Sequence, residues 1–183
     1  MSTTSPLLTA RQLEASPPDG RWELVQGELR EMSPSSIRHA WVAASVAVLI
    51  RNHVVENSLG MVIGAEGGFL IESDPDTVRG PDAALICPER IKQGLPETGF
   101  FPGAPDFAVE VISPGDTSTA VSAKSEQWLR SGCRTVWLID PGRETAAVCT
   151  LEDGSYVMRS VEILTEPELL PGFELPVNEL FQQ

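Results

Sequence analysis

Three side chains in this sequence have the types and placement to do chemistry together. Asp82 follows Pro81 at the start of a short apolar run, Glu110 lies inside the apolar segment Asp106 to Ser113, and Lys124 comes after both on a helical stretch. Burying an ionised carboxylate among Val, Ile and Phe costs several kcal/mol unless a cation or good hydrogen bonds compensate. A divalent cation is one such compensation, and two carboxylates with an ammonium are the equipment of metal-dependent phosphodiester hydrolysis.

A second Pro-Asp pair, Pro105-Asp106, competes with Pro81-Asp82. Side chains alternate along a strand, so Asp106, Ala108, Glu110 and Ile112 share one face while Phe107, Val109 and Val111 share the other. Asp106 and Glu110 are then about 13 Å apart, too far to share an ion whose metal–oxygen bonds are about 2.1 Å. Asp82, on a different segment, can reach, and Asp106 is expected to have a structural role.

Lys124 lies three residues after Val121 and four before Trp128, on the apolar stripe of its helix, so its stem runs toward the sheet. Of thirteen cationic side chains only two, Lys92 and Lys124, are lysines. Lysine is a compact charge whose pKa responds to burial, which suits activating a water or steadying an attacked phosphate. Each residue also has a plainer reading. Asp82 would serve a Gly-Pro turn, Glu110 would pair with Arg130 or Arg134, and Lys124 would cover apolar surface and reach water at the edge.

These residues need elements to hold them. Thr9 is placed to cap a short helix through Ala15, which the breaker cluster Ser16 to Gly20 ends. Trp22 to Met32 reads as a hairpin about Gln26-Gly27. The strongest helix runs from Ile37 to about Asn57, with Trp41, Ala44, Val48 and His53 to Val55 as its expected packing stripe. Short apolar segments follow: Met61 to Ile63, Gly68 to Ile71, Ala83 to Ile86, Phe107 to Ile112 and Thr135 to Ile139. One more helix, about Ser118 to Ser131, is stopped by Gly132. Glu89 to Pro105 reads as an irregular excursion, and Ala146 to Thr150 with Tyr156 to Arg159 as a hairpin about Asp153-Gly154 before a Pro-rich tail. The order predicts an α/β fold with a mixed central β-sheet flanked by helices.

A chain of 183 residues suits one domain, residues 1–183, with a core over about 22–140 and a C-terminal β extension over about 141–181. No apolar run approaches the roughly 20 residues of a membrane span, and residues 1–6 show no basic segment and no long apolar segment of a secretory leader. Cytoplasm is the expectation. Cys87, Cys133 and Cys149 share no close spacing with one another or with His39 and His53, which argues for reduced core thiols and against zinc. The net charge of -13 opposes binding of a polyanion. Nine acids and two bases fall from Asp140 onward, so the acidity is densest away from the three candidate residues.

From Trp22 to about Phe181 the sequence resembles the Uma-type family of bacterial restriction endonucleases, a branch of the PD-(D/E)XK nuclease superfamily. The segments that carry it are Trp22-Glu-Leu-Val-Gln-Gly-Glu-Leu, Met32-Ser-Pro-Ser with His39, Arg79-Gly-Pro-Asp82, Pro105-Asp-Phe-Ala-Val-Glu-Val-Ile-Ser-Pro114, Lys124, Gly132, Trp137-Leu-Ile-Asp-Pro141 and Leu170-Pro-Gly-Phe173. The resemblance implies a restriction-endonuclease-like core with an N-terminal helix and hairpin and a C-terminal hairpin. It implies that Asp82 and Glu110, on adjacent strands, hold Mg2+ or Mn2+ with the Val111 carbonyl as a further ligand. The superfamily motif wants Lys at 112, where this chain has Ile112; Lys124 stands at the relocated position of the Uma-type branch, and Trp128 replaces the usual Tyr after it. Glu28 and His39 match family positions and could join the site, and Gln127, one turn beyond Lys124, could line the same cleft. The activity implied is metal-dependent cleavage of DNA, for which a homodimer would suit double-strand cleavage. The alternatives are a catalytically quiet module that binds or assembles, and a phosphodiesterase acting on RNA or small nucleotides.

Overall fold

Side-chain caps mark where the helices begin. The Thr9 hydroxyl accepts from Gln12 N while the Gln12 side chain accepts from Thr9 N, a capping box that starts α1 (Ala10–Ala15). Strands β1 (Trp22–Val25) and β2 (Glu28–Glu31) are joined by Gln26 and Gly27, with φ of 53° and 76°. Two positive φ values suit the twist of a two-residue hairpin, and glycine adopts the second without steric cost. Ser36 Oγ accepts from His39 N at 3.2 Å and opens α2 (Ile37–Glu56). There follow β3 (Met61–Gly64), β4 (Phe69–Glu72), β5 (Thr77–Arg79), β6 (Ala83–Ile86), α3 (Pro88–Lys92), β7 (Phe101–Pro102) and β8 (Phe107–Val111). Thr117 caps α4 (Ser118–Arg130), and Gly132, at φ 104°, turns the chain out of it. The remainder is β9 (Thr135–Asp140), β10 (Thr145–Thr150), β11 (Gly154–Met158), β12 (Ile163–Glu166), β13 (Leu170–Pro176) and a 3₁₀ turn, Val177–Phe181. This computed structural model describes residues 6–159 and 162–182; residues 1–5, within the stretch read for a leader, lie outside them.

The central sheet has six strands in the order β11-β10-β9-β8-β6-β3 and is mixed, with β8 and β9 parallel and every other neighbouring pair antiparallel. A parallel pair needs a crossover, and α4 supplies it. On one face Val42, Val46, Ile50 and Val54 of α2 pack with Leu85, Phe107, Val109, Trp137 and Ile139 of the sheet and with Leu164, Leu170 and Leu180 from the C-terminal segments. On the other, Trp128 and Leu129 of α4 and Phe69 and Phe101 of the N-terminal strands cover Ala84, Ala108, Val136 and Leu138. Both faces of the β8 segment are covered, as its apolar composition requires.

Three expectations change. The packing stripe of α2 is Val42, Ala43, Val46, Ile50 and Val54, while Val48 and Val55 are exposed. Trp41 to Ile50 is apolar at every position but Ser45, so periodicity does not single out one face. The sheet is not alone: β1, β2, β4, β5 and β7 make a second, five-stranded sheet ordered β2-β1-β5-β4-β7. Its β7, and all but the first residue of the short α3, lie inside the stretch read as irregular. In the expected C-terminal β extension, β12 and β13 pair antiparallel as a further two-stranded sheet.

Candidate active site

The register of the central sheet brings Asp82 and Glu110 together. β6 pairs antiparallel with β8 through Ala83 opposite Val109, and this pair is directly preceded by Asp82 on one side and directly followed by Glu110 on the other, so both acids lie at the same end of the ladder. Asp82 N donates to Val109 O at 2.9 Å, and Val111 N donates to Asp82 Oδ2 at 2.7 Å, so both backbone and side chain of Asp82 are tied to β8. Alternation puts the Glu110 carboxylate on the α4 side, since Ala108 belongs to the core beneath that helix, while the Asp82 carboxylate turns to the backbone of β8 at the end of the ladder. Glu110 is the one residue of β8 that is not fully buried.

Lys124 reaches down from α4 onto Glu110. Its Nζ lies 2.9 Å from each carboxylate oxygen, and Trp128 Nε1 donates to Oε1 at 2.7 Å. Trp128, fully buried, therefore does for Glu110 what its aromatic bulk alone would not. Burial pushes the Glu110 carboxyl above its ordinary range; Lys124 pulls it back and the charge of Asp82 adds to the rise. Burial works against the Lys124 ammonium, but the attraction of Glu110 and then Glu23 outweighs it, so the lysine is held above its ordinary value and stays charged.

Glu23 is the residue that sequence reading missed. It is 6% exposed, its Oε2 accepts from Arg79 Nη1 at 2.6 Å, and its Oε1 is 3.3 Å from Lys124 Nζ with no hydrogen-bond partner. Arg79 Nε in turn donates to Gln127 Oε1 at 2.6 Å, and Gln127 Nε2 to Glu72 Oε2 at 3.0 Å. Glu72 also accepts from Gln26 and Thr77; burial raises its carboxyl, but these side-chain donors outweigh it and leave the pKa lowered. The segment Trp22 to Leu29 contains two glutamates, and the structure puts the first in the cleft and the second outside it. Glu28 is exposed and paired with Arg30, as β1 pairs inward with β5 while β2 lies at the sheet edge.

The other expected residues divide cleanly. His39 is buried, with Nε2 3.5 Å from Asp82 Oδ2 and Nδ1 without a partner. Asp106, at the far end of β8, accepts from Cys87 N at 2.8 Å and lies near Arg90, so its side chain holds the start of α3. Asp116 Oδ2 accepts from Ser113 N within the turn that leads to α4. Arg130 pairs with Glu126, leaving Glu110 to Lys124. The cleft over the site has a volume of about 1170 Å³ and is lined by Glu23, His39, Arg79, Asp82, Glu110, Lys124 and Gln127 among others. Its lining carries seven acids, Glu23, Glu31, Glu72, Asp82, Glu110, Asp116 and Glu126, against four bases, Arg21, Arg79, Lys124 and Arg130.

Residues 9–178 match the model of the Uma2 family, described as "Putative restriction endonuclease". The chain belongs to the Uma2 family. No curated protein matches it. A crystal structure of a protein from Anabaena variabilis, described as "a putative nuclease belonging to DUF820", superposes with a TM-score of 0.81 at 20% identity, covering 95% of this chain and 97% of that one. The likeness shows that the two share a fold.

The Uma2 chain has the donors for a hard cation. Asp82 and Glu110 offer oxygen across one ladder, and Mg2+ needs only one or two carboxylates, completing its shell with water and phosphate oxygens. Among the described residues no three His, Cys, Asp or Glu side chains are grouped to hold an ion. A cation here would draw on this carboxylate pair and on backbone carbonyls, with Val111 adjacent to Glu110 in β8. At position 112 the side chain is a half-buried Ile that packs in the core beneath α4.

Proposed function

We infer that this chain is a Mg2+- or Mn2+-dependent endonuclease that hydrolyses DNA phosphodiester bonds. The observation that carries the reading is the convergence of Asp82, just before β6, and Glu110 of β8 in one cleft with the Lys124 ammonium on Glu110; family membership and the fold shared with a described nuclease support it. A cation on Asp82 and Glu110, with the Val111 carbonyl, would supply Lewis acidity toward the phosphate and lower the pKa of a water. Lys124, held charged between two carboxylates, acts as a donor and a positive charge near the reacting phosphate rather than as a base. His39 is positioned to hold Asp82 in orientation through Oδ2. Three free thiols fit a cytoplasmic protein, and a homodimer would place two such sites for double-strand cleavage.

A second reading is favoured by one observation. Lys124 already meets both oxygens of Glu110, and the cleft lining has more acids than bases, an arrangement that a catalytically quiet binding or assembly module would keep without any ion. Calorimetry with Mn2+ decides between them: micromolar binding abolished by Glu110→Ala supports the enzyme, and no binding supports the module. Incubating the protein and Mn2+ with duplex DNA, RNA and small nucleotides then identifies the substrate.

A further inference from the structure

We propose that Glu23 is a positioning residue of the site, the second carboxylate onto which Lys124 shifts when a divalent cation takes Glu110. The proposal rests on the metal-site reading above. Three features point to it. Glu23 Oε1 is buried, without a hydrogen-bond partner, and lines the cleft; an unsatisfied buried carboxylate oxygen is costly to maintain. It lies 3.3 Å from Lys124 Nζ, so the ammonium already borders the acceptor toward which it would turn to make a charge-assisted hydrogen bond. Its other oxygen is anchored by Arg79, which Gln127 and then Glu72 hold in turn, so this carboxylate stays in place while the lysine moves.

The chemistry requires such a partner. A cation on Glu110 and an ammonium 2.9 Å from both of its oxygens repel one another. Without an alternative acceptor, Lys124 would either block the cation or leave the cleft. With Glu23, the ammonium gives up contact with Glu110 and stays at the reacting phosphate. Direct ligation by Glu23 is the weaker account, because no three acidic or histidine side chains are grouped for an ion among the described residues.

The test is Mn2+ binding by calorimetry in the wild type, Glu23→Gln, Lys124→Met and the double variant. Glu23→Gln is expected to weaken binding about tenfold, as supporting partners of metal ligands commonly do, and to have no effect in the Lys124→Met background. An equal loss in both backgrounds makes Glu23 a ligand and overturns the proposal, as does unchanged affinity in Glu23→Gln. Wild-type protein that binds no Mn2+, or binding that survives Glu110→Ala, overturns the underlying metal site itself. A structure of the wild type soaked with Mn2+ reads the same point without a variant: Nζ is expected within hydrogen-bond distance of Glu23 Oε1, and Nζ still on both oxygens of Glu110 beside the ion overturns the shift.

Discussion

Lys124 Nζ sits 2.9 Å from both carboxylate oxygens of Glu110, so one ammonium from α4 caps the only acidic side chain of β8. This contact joins the helix that follows β8 to the strand itself, and it makes the lysine and the carboxylate a single electrostatic unit. Changing either partner shifts the titration of the other.

Cleavage is expected to depend on all three residues. Glu110→Ala and Asp82→Ala should abolish Mn2+ binding and turnover together. Lys124→Ala should lower kcat about 100-fold or more, the cost typical of losing a donor to developing charge, while Mn2+ binding persists. Calorimetry and plasmid-cleavage rates on the same preparations check both; turnover retained in the two carboxylate variants would sink the assignment.

The pH dependence follows from Glu110. Its carboxyl is raised from the ordinary 4.5, chiefly by burial, and only the carboxylate attracts a cation. Mn2+ affinity should therefore fall as pH drops, with a half-point above 4.5. Trp128→Phe removes the N–H that favours the charged form and should move the half-point higher still. Binding titrations across the acid range measure it, and a half-point unmoved in Trp128→Phe would contradict the role given to that N–H.

Asp106 and Glu28 should behave as structural and surface residues. Asp106→Ala leaves Cys87 N without its acceptor and should cost about 1–3 kcal/mol in urea melts while Mn2+ binding is unchanged. Glu28→Ala loses an exposed ion pair and should shift stability by less than about 0.5 kcal/mol. A loss of Mn2+ affinity in either variant would show that the residue takes part in the cleft.

Burial pushes the Cys133 thiol up from 9.0 to about 12. The folded state keeps the neutral thiol, so its stabilisation is complete below the unfolded value and is lost as pH rises from 9.0 toward about 12. Denaturant midpoints of the wild type should fall more steeply across that window than those of Cys133→Ala. Iodoacetamide should reach half-buried Cys87 before Cys133 and Cys149, which are buried.

Much of the candidate site was legible locally. Alternation along Phe107 to Val111 separated Glu110 from its apolar neighbours and set Asp106 at the wrong distance, and helix spacing aimed Lys124 at the sheet. The choice between Glu23 and Glu28 was not legible, because both lie in one hairpin and only pairing with β5 makes β1 the inner strand. Nor was the buried face of α2, whose apolar residues surround the helix and leave the choice to whatever packs against it.

The sequence by itself determined the elements and the chemistry available to them: caps at Thr9, Ser36 and Thr117, turns at Gly27 and Gly132, and two carboxylates and a lysine set in apolar runs. These depend on residues within one turn or one strand of each other, and local sterics and hydrogen bonding suffice for them. Only the tertiary structure decided which of these residues meet. The second sheet, held by strands as short as β5 and β7, delivers Glu23 and Arg79 to the cleft, and the β6–β8 pairing brings Asp82 and Glu110 to the same end of the ladder. Such pairings join residues far apart in the chain through backbone ladders that carry little side-chain signature, so the partner of Lys124 was written in the fold and not in its neighbours.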